Sequence, residues 1–269
     1  MTNLAARITS ALGAAFLFAP FAYSGVPASA LNSQVVFLGE QHDNPGHHEV
    51  QAEWVAAISP VAVVFEMLTP EQAMAVTPDN RGDQVALEAA LGWEAAGWPD
   101  FSMYFPIFSA APNAKVKGAG VPREQTRSLM NKDVSDVFGA ELAVRFGLDS
   151  ALPEDQQEKR EALQRAAHCD ALPESMLPMM VDVQRLRDAV LAATALDALE
   201  TIGAPVVVIT GNGHVRNDWG APALLRYAAS DVSVFTLGQG EAGQTPTGGF
   251  DFTLDGPAVD RGDPCDAFK

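Results

Sequence analysis

Residues 205–216 read PVVVITGNGHVR, and the pattern of this segment indicates the fold class. Its first part, Pro205–Thr210, is continuously apolar, which is typical of a strand buried on both faces of a parallel sheet. Glycine and polar residues follow immediately, as they do where such a strand ends. The same pattern predicts four more strands and one edge strand: Val35–Leu38, Val61–Met67, Lys115–Val121, Val232–Leu237 and, at the edge, Phe250–Leu254.

Helical patterns separate these strands. Asn44 and Pro45 provide an N-cap and a proline at the first helical position, which predicts a helix to about Ile58. No strand pattern occurs between Arg127 and Gly203, where residues 154–167 and 173–200 have helical periodicity. We therefore predict an α/β fold, a mostly parallel sheet flanked by helices. An all-helical subdomain, residues 127–203, is expected as an insertion between sheet segments 31–126 and 204–269.

The first 30 residues have the pattern of a secretory signal peptide. Arg7 precedes an apolar run at Ala11–Ala22, and Ala28–Ala30 has the small-residue form of a cleavage site. We expect a mature chain that begins at Leu31 and a periplasmic or secreted location. No cysteine stands directly after the apolar run, so we expect no lipid attachment there. In such a compartment Cys169 and Cys265 form either a disulfide or two free thiols, and the sequence leaves both open.

The chain is strongly acidic. It contains 34 acidic and 17 basic side chains, with a formal net charge of −17. This argues against nucleic acid as a partner, because phosphate binding needs a basic surface. It also argues against docking on an anionic membrane surface. A buried anionic ligand remains compatible, since it needs only a few local donors.

Polar residues follow the predicted strands where the strands end. Glu40 and His42 follow the first strand, Glu66 ends the second, Arg123 follows the third and His214 follows the fourth. Ligands of open parallel sheets bind at the carboxyl ends of the strands, so we expect these five side chains to form one catalytic or binding site.

Three chemical interpretations of this site remain open. His42 and His214, with the carboxylates, are suited to hold a divalent metal that activates water. Alternatively, a histidine acts as general base while Arg123 stabilises an oxyanion. The third interpretation is structural: the histidines tie loops together, and Glu66 pairs with Arg123.

Several motifs resemble those of one known family. The sequence contains GEQHDNPGHHEVQ at 39–51, FEM at 65–67, VPR at 121–123, HCDALPESM at 168–176 and GNGHVRNDWGAP at 211–222. In this order they resemble the ChaN-like haem-binding uptake proteins, a branch of the superfamily that includes TIKI, TraB and the erythromycin esterases. The Gly-x-x-His pattern occurs twice, at 39–42 and 211–214.

The resemblance implies a parallel sheet with flanking helices and an envelope protein of haem and iron acquisition, with an outer-membrane haem uptake system as partner. For the wider superfamily it implies an active-site set that maps onto Glu40, His42, Glu66, Arg123 and His214. The missing lipid-attachment cysteine departs from some members of the family.

The resemblance also implies a tyrosine ligand for haem, and tyrosine ligation of haem iron is established chemistry. Tyr104 lies in an aromatic stretch at 98–108, and His168 is a second candidate for the same pocket. We interpret Tyr227 as a packing residue. His47 and His48 fall in the first turn of a helix, where solvent exposure is expected. A haem-bridged homodimer is compatible with a flat ligand that one subunit only half covers.

We therefore expect an exported haem-binding protein. The alternative is a metal-dependent hydrolase that uses the strand-end residues, and a binding protein with neither activity is the third hypothesis.

Overall fold

The computed structural model describes residues 25–263 and 265–266. Of the predicted signal peptide, residues 1–24 lie outside this range. The described chain contains one six-stranded sheet in the order β3-β2-β4-β1-β5-β6, and every neighbouring pair is parallel. The strands are β1 Val35–Glu40, β2 Ala62–Phe65, β3 Lys115–Gly118, β4 Val206–Gly211, β5 Val234–Glu241 and β6 Phe252–Gly256.

Helices cover both faces of this sheet. They are α1 Ala28–Leu31, α2 Pro45–Ile58, α3 Pro70–Met74, α4 Gln84–Leu91, α5 Trp93–Ala96, α6 Phe101–Ala110, α7 Arg123–Ser128, α8 Val134–Phe138, α9 Ala140–Phe146, α10 Glu154–Ala167, α11 Leu177–Thr201 and α12 Ala221–Ala228.

Each central strand contributes to two hydrophobic cores. In β1, Val36 and Leu38 face a core shared with α2 and α6, whereas Val35 and Phe37 face a core shared with α11 and α12. Burial on both faces explains why these strands are continuously apolar rather than alternating. The predicted α/β fold with a parallel sheet flanked by helices is confirmed, and the predicted edge strand is β6, which begins two residues later than expected.

The segment between β3 and β4 is helical throughout its regular structure, from α7 to α11. Its longest helix, α11, lies against the sheet and buries Leu186 and Leu191 in the second core. Its independence as a subdomain stays a prediction.

Two further features concern the chain as a whole. Cys169 and Cys265 form a disulfide with Cα atoms 5.6 Å apart, which decides between the two alternatives left open above. No helix in the described part of the chain is both long enough and apolar enough to cross a membrane.

Candidate functional site

The parallel register brings the predicted site residues to one edge of the sheet. Glu40 pairs with Gly211 across β1 and β4, and Phe65 of β2 pairs with Ile209 of β4. Glu66 follows Phe65 directly, and a 3-10 turn at Asn212–His214 follows β4. Glu40, Glu66 and His214 therefore meet at the carboxyl edge, as the sequence predicts, together with His42.

Glu40 is the centre of the first polar cluster. Its buried carboxylate lies 2.7 Å from His42 Nδ1 and accepts a hydrogen bond from the Tyr104 hydroxyl at 2.8 Å. His48 Nδ1 lies 3.4 Å from the other carboxylate oxygen, and His48 Nε2 lies 2.9 Å from the His42 carbonyl oxygen. Two histidines and a tyrosine thus fix the orientation of one carboxylate.

This environment changes the protonation of His42. Burial alone would lower the pKa of its imidazole, but the hydrogen bond to Glu40 and the charges of Glu66 and Glu40 outweigh it and raise the pKa to about 9. The side chain is 34% exposed. Because Nδ1 faces Glu40, Nε2 is the ring nitrogen that is left for a ligand.

Glu66 is the centre of the second cluster. One carboxylate oxygen accepts hydrogen bonds from Thr210 Oγ1 at 2.6 Å and from the Gly211 amide at 2.9 Å. The other oxygen lies 3.5 Å from His214 Nε2. On the far side of the ring, His214 Nδ1 lies 2.6 Å from Asp188 Oδ1. His214 is therefore held between two acids.

Charge and burial compete within this second cluster. Burial would raise the pKa of Glu66, but the charges of His214 and His42 and two hydrogen bonds lower it to about 2. Burial would lower the pKa of His214, yet Glu66 and Asp188 raise it. Burial raises the pKa of Asp188. The two clusters are linked electrostatically, because Glu66 acts on both His42 and His214.

The glycines of the two Gly-x-x-His motifs are explained by close approach. A Cβ at Gly39 would lie 2.5 Å from Asn212 Oδ1, and a Cβ at Gly211 would lie 3.1 Å from His42 Nε2. Contacts below 3.0 Å do not occur for real Cβ atoms, so Gly39 is required for steric reasons. Each glycine makes room for a polar side chain that follows the neighbouring strand.

Arg123 does not join these clusters and does not pair with Glu66. It is an exposed residue at the start of α7, where it lines a cavity of about 580 Å³. Glu66 also lines this cavity, and Trp98, Met67 and Leu191 supply apolar wall. We call this cavity the strand-end cleft; its other lining residues include Val121 and Arg187.

Tyr104 and His168, the two predicted haem residues, lie in different helical segments of the structure. Tyr104 is fully buried in α6, and burial together with the charge of Glu40 raises the pKa of its phenol. His168 lies at the C-terminal end of α10, where its Nδ1 is 2.8 Å from the Gln164 carbonyl oxygen, and it is not among the residues that line the strand-end cleft. Tyr227 is 67% exposed, so its interpretation as a packing residue is wrong.

The expected exposure of His47 and His48 is also wrong, because both are buried. The C-terminal strands cover the start of α2: His47 Nε2 lies 2.9 Å from the Gly240 carbonyl oxygen. His48 lies against the ring of Tyr104. The sequence pattern at a helix start does not indicate that strands from the C-terminal part of the chain will cover that helix start.

Asp188 is a site residue that the sequence reasoning missed. It lies in α11 between apolar positions that face the core, and it is nearly fully buried. The sequence signal that marks Asp188 is an acidic residue within an otherwise apolar face of a predicted helix.

The predicted metal role of His42 and His214 finds no support. Among the described residues, no group of three or more His, Cys, Asp or Glu side chains is arranged to hold a metal ion. Each of these histidines instead directs Nδ1 at a carboxylate.

Fold and site together define an α/β protein with a buried His and carboxylate network at the carboxyl edge of a parallel sheet. A family model described as "Haem-binding uptake, Tiki superfamily, ChaN" matches residues 26–225. The chain therefore belongs to the ChaN family of haem-binding uptake proteins. No curated protein matches the sequence.

One solved structure supports this fold, and two others are more distantly similar. ChaN of Campylobacter jejuni, whose structure is described as showing cofacial heme binding, is similar with a TM-score of 0.61 and 18% identity, over 83% of this chain and 87% of that chain. The type III effector HopBA1 has a TM-score of 0.46 at 12% identity, over 86% of this chain and 90% of that one. The H289N mutant of erythromycin esterase EreC has a TM-score of 0.45 at 12% identity, over 80% of this chain and 72% of that chain.

Proposed function

We propose that this protein binds haem in the strand-end cleft and serves in haem uptake. The observation that carries the proposal is the family match over residues 26–225. The cleft supports it, because about 580 Å³ lies within the usual range of small-molecule sites, roughly 300–1,000 Å³. Trp98, Met67 and Leu191 provide apolar surface that suits a flat macrocycle.

We further propose His42 as the residue that meets the iron. Metal-ligating histidines usually donate their other ring N–H to a carboxylate, which orients the ring and raises its basicity. His42 has this arrangement with Glu40; it is not itself among the residues that line the cleft, but its ring lies against Trp98, which is. Iron binding would displace the Nε2 proton that the nearby acids favour. When bound, haem supplies an iron that accepts an imidazole nitrogen.

Tyr104, the ligand that the resemblance implies, has a different role in this proposal. Its hydroxyl donates to the same Glu40 carboxylate and has no exposed surface around it. A phenolate ligand needs a lowered pKa and access to the ligand, and burial opposes both. Tyr104 and His48 therefore act on the iron site by orienting Glu40.

Haemin titration tests both the function and the location. We expect a saturable Soret shift with the wild-type protein and weaker binding by Trp98→Ala, because that variant removes a wall of the cleft. Trp219→Ala is the matched control, since Trp219 lines two other cavities of the described chain. An absence of saturable binding would contradict the function, and a loss confined to Trp219→Ala would contradict the location.

Export remains part of the proposal and rests on the signal-peptide pattern of residues 1–30. The disulfide between Cys169 and Cys265 supports it, because disulfides persist in oxidising compartments. Expression of the full chain in a Gram-negative host is expected to give a periplasmic protein whose intact mass corresponds to Leu31–Lys269. A cytoplasmic protein that retains residues 1–30 would contradict export.

A haem-bridged homodimer and an outer-membrane uptake system as partner are proposed in addition. The structural relative from C. jejuni, which binds haem cofacially, supports the first. Sedimentation velocity with and without haemin is expected to show a dimer only when haem is present. A monomer at saturating haemin would contradict the bridge.

Hydrolysis is a second candidate function, at a second cavity that His214 and Asp188 line. The buried chain of Asp188, His214 and Glu66 favours it, because an imidazolium held by carboxylates can act as a general acid. An ester hydrolase screen of metal-free protein, with His214→Gln as control, tests it. Equal rates for both proteins would rule this function out.

A further inference from the structure

Two arginines of the strand-end cleft have no protein acceptor. In the described part of the chain, no hydrogen bond or ion pair involves the side chains of Arg123, Arg127 or Arg187. Every other described arginine donates a hydrogen bond to a protein oxygen: Arg81, Arg145, Arg160, Arg165, Arg185, Arg216, Arg226 and Arg261. Two of the three remaining arginines, Arg123 and Arg187, line the same cavity.

This arrangement is unusual for such an acidic protein. Acidic side chains outnumber basic ones by 34 to 17, so a nearby carboxylate partner is the common fate of an arginine here. The acid that does line the cleft, Glu66, already faces His214 and accepts hydrogen bonds from Thr210 and Gly211. The two guanidinium groups therefore line the cavity without a bonded carboxylate from the described part of the chain to neutralise them.

The two arginines come from different elements. Arg123 is the first residue of α7, after β3, and Arg187 lies on α11 one residue before Asp188. Arg187 is close enough to His214 to act on it electrostatically, so it lies near the second polar cluster. Apolar wall from Leu191 lies one helical turn further along α11. The cleft thus combines apolar surface with two cationic donors.

We propose that Arg123 and Arg187 form a carboxylate clamp that holds the two propionate groups of haem in the strand-end cleft. Guanidinium groups bind carboxylates through paired, charge-assisted hydrogen bonds, which makes arginine suited to this task. The inference rests on the proposed haem binding and adds to it the residues that recognise the anionic end of the ligand.

The experiment compares haemin with its dimethyl ester, in which both carboxylates are blocked, in the same detergent-containing buffer. Both ligands are titrated into the wild-type protein, Arg123→Gln, Arg187→Gln and the double variant. Arg127→Gln is the matched control, because Arg127 also lacks an acceptor but does not line the cleft. Thermal melts of each variant confirm that it is folded.

We expect the wild-type protein to bind haemin about tenfold or more tightly than the ester. The double variant is expected to bind both ligands equally, and Arg127→Gln to behave as wild type. A double variant that keeps the wild-type preference for haemin would overturn the clamp while haem binding stands. A wild-type protein that binds neither ligand would overturn the proposed function and the clamp together.

Discussion

Glu40 determines the protonation state of His42. The hydrogen bond at 2.7 Å and the negative charge favour the imidazolium form, and they prevail over the effect of burial. In Glu40→Gln the carboxylate is lost, so we expect the pKa of His42, about 9 in the wild-type protein, to fall by about 1 to 3 pH units. NMR titration of the imidazole resonances measures this change.

Asp43→Asn is the control for this variant. Asp43 also raises the pKa of His42, but less than Glu40 or Glu66 does. A smaller fall is expected there. Equal pKa values of His42 in wild type and Glu40→Gln would show that Glu40 does not govern this histidine.

Tyr104 stabilises the site through one buried hydrogen bond. Tyr104→Phe removes the donor to Glu40 without leaving a large cavity, so we expect it to lower the free energy of unfolding by about 1 to 2 kcal/mol. Urea denaturation measures the difference. Tyr227→Phe is the control at an exposed position and is expected to stay within about 0.5 kcal/mol of wild type.

At the residue scale, sequence patterns located the carboxyl-edge side chains but not their partners. Glu40, His42, Glu66 and His214 follow strands, and a strand end is a local feature. Tyr104 reaches Glu40 across 64 positions of chain, and Asp188 reaches His214 from the middle of a long helix. An acid in an apolar helical face marks Asp188, but nothing local names the partner of Asp188 or of Tyr104, since both pairings depend on how α6 and α11 lie against the sheet.

At the scale of elements, the loop after β4 must leave space for the loop after β1. The absence of a side chain at Gly211 lets the His42 ring approach, with Nε2 only 3.1 Å from where a Cβ would be. Gly211→Ala is therefore expected to displace His42 and to weaken haemin binding by about threefold or more, with less than about 1 kcal/mol change in stability. Haemin titration and urea denaturation measure the two effects.

Gly213→Ala is the matched control in the same loop, since no atom lies within 4 Å of the Cβ it would add. It is expected to bind haemin as wild type does. Equal loss of affinity in both variants would point to a general effect of alanine on the loop rather than to His42.

Continuous apolar runs predict the sheet strands, because a strand buried on both faces does not alternate polar and apolar residues. The helix Glu154–Ala167 also has the predicted bounds. In contrast, the sequence does not predict α6 as a helix, because Pro106 lies inside it and aromatic residues dominate it. Packing of Phe101, Tyr104 and Phe108 into the first core compensates for that weak helical propensity.

At the scale of the whole molecule, Glu66 and His42 set the pH range of greatest stability. The pKa of Glu66 is about 2 against an ordinary 4.5, so its contribution is full above pH 4.5 and is lost as the pH falls towards 2. The pKa of His42 is about 9 against 6.5, so its contribution is full below pH 6.5 and is lost as the pH rises through 9.

The contributions of these two groups are both full between about pH 4.5 and 6.5, and because burial lowers the pKa of His47, its protonation opposes them at the acid end of that range; the free energy of unfolding is therefore expected to be greatest near pH 6.5. Urea denaturation across the pH range checks this, with a loss of about 1 to 2 kcal/mol towards pH 9 after allowance for the partial exposure of His42. His42→Gln should flatten the alkaline side and Glu66→Gln the acid side. A wild-type protein that gains stability from pH 6.5 to 9 would contradict this assignment.

In the binding mode proposed above, haem lies at the carboxyl edge of the sheet and His42 is its iron ligand. The most direct measurement is the absorption spectrum of the ferric haem complex of His42→Gly, with and without added imidazole, beside Tyr104→Phe. We expect His42→Gly to lose the wild-type spectrum, imidazole to restore it, and Tyr104→Phe to retain it. A wild-type spectrum in His42→Gly that is lost in Tyr104→Phe would contradict this binding mode and make Tyr104 the ligand.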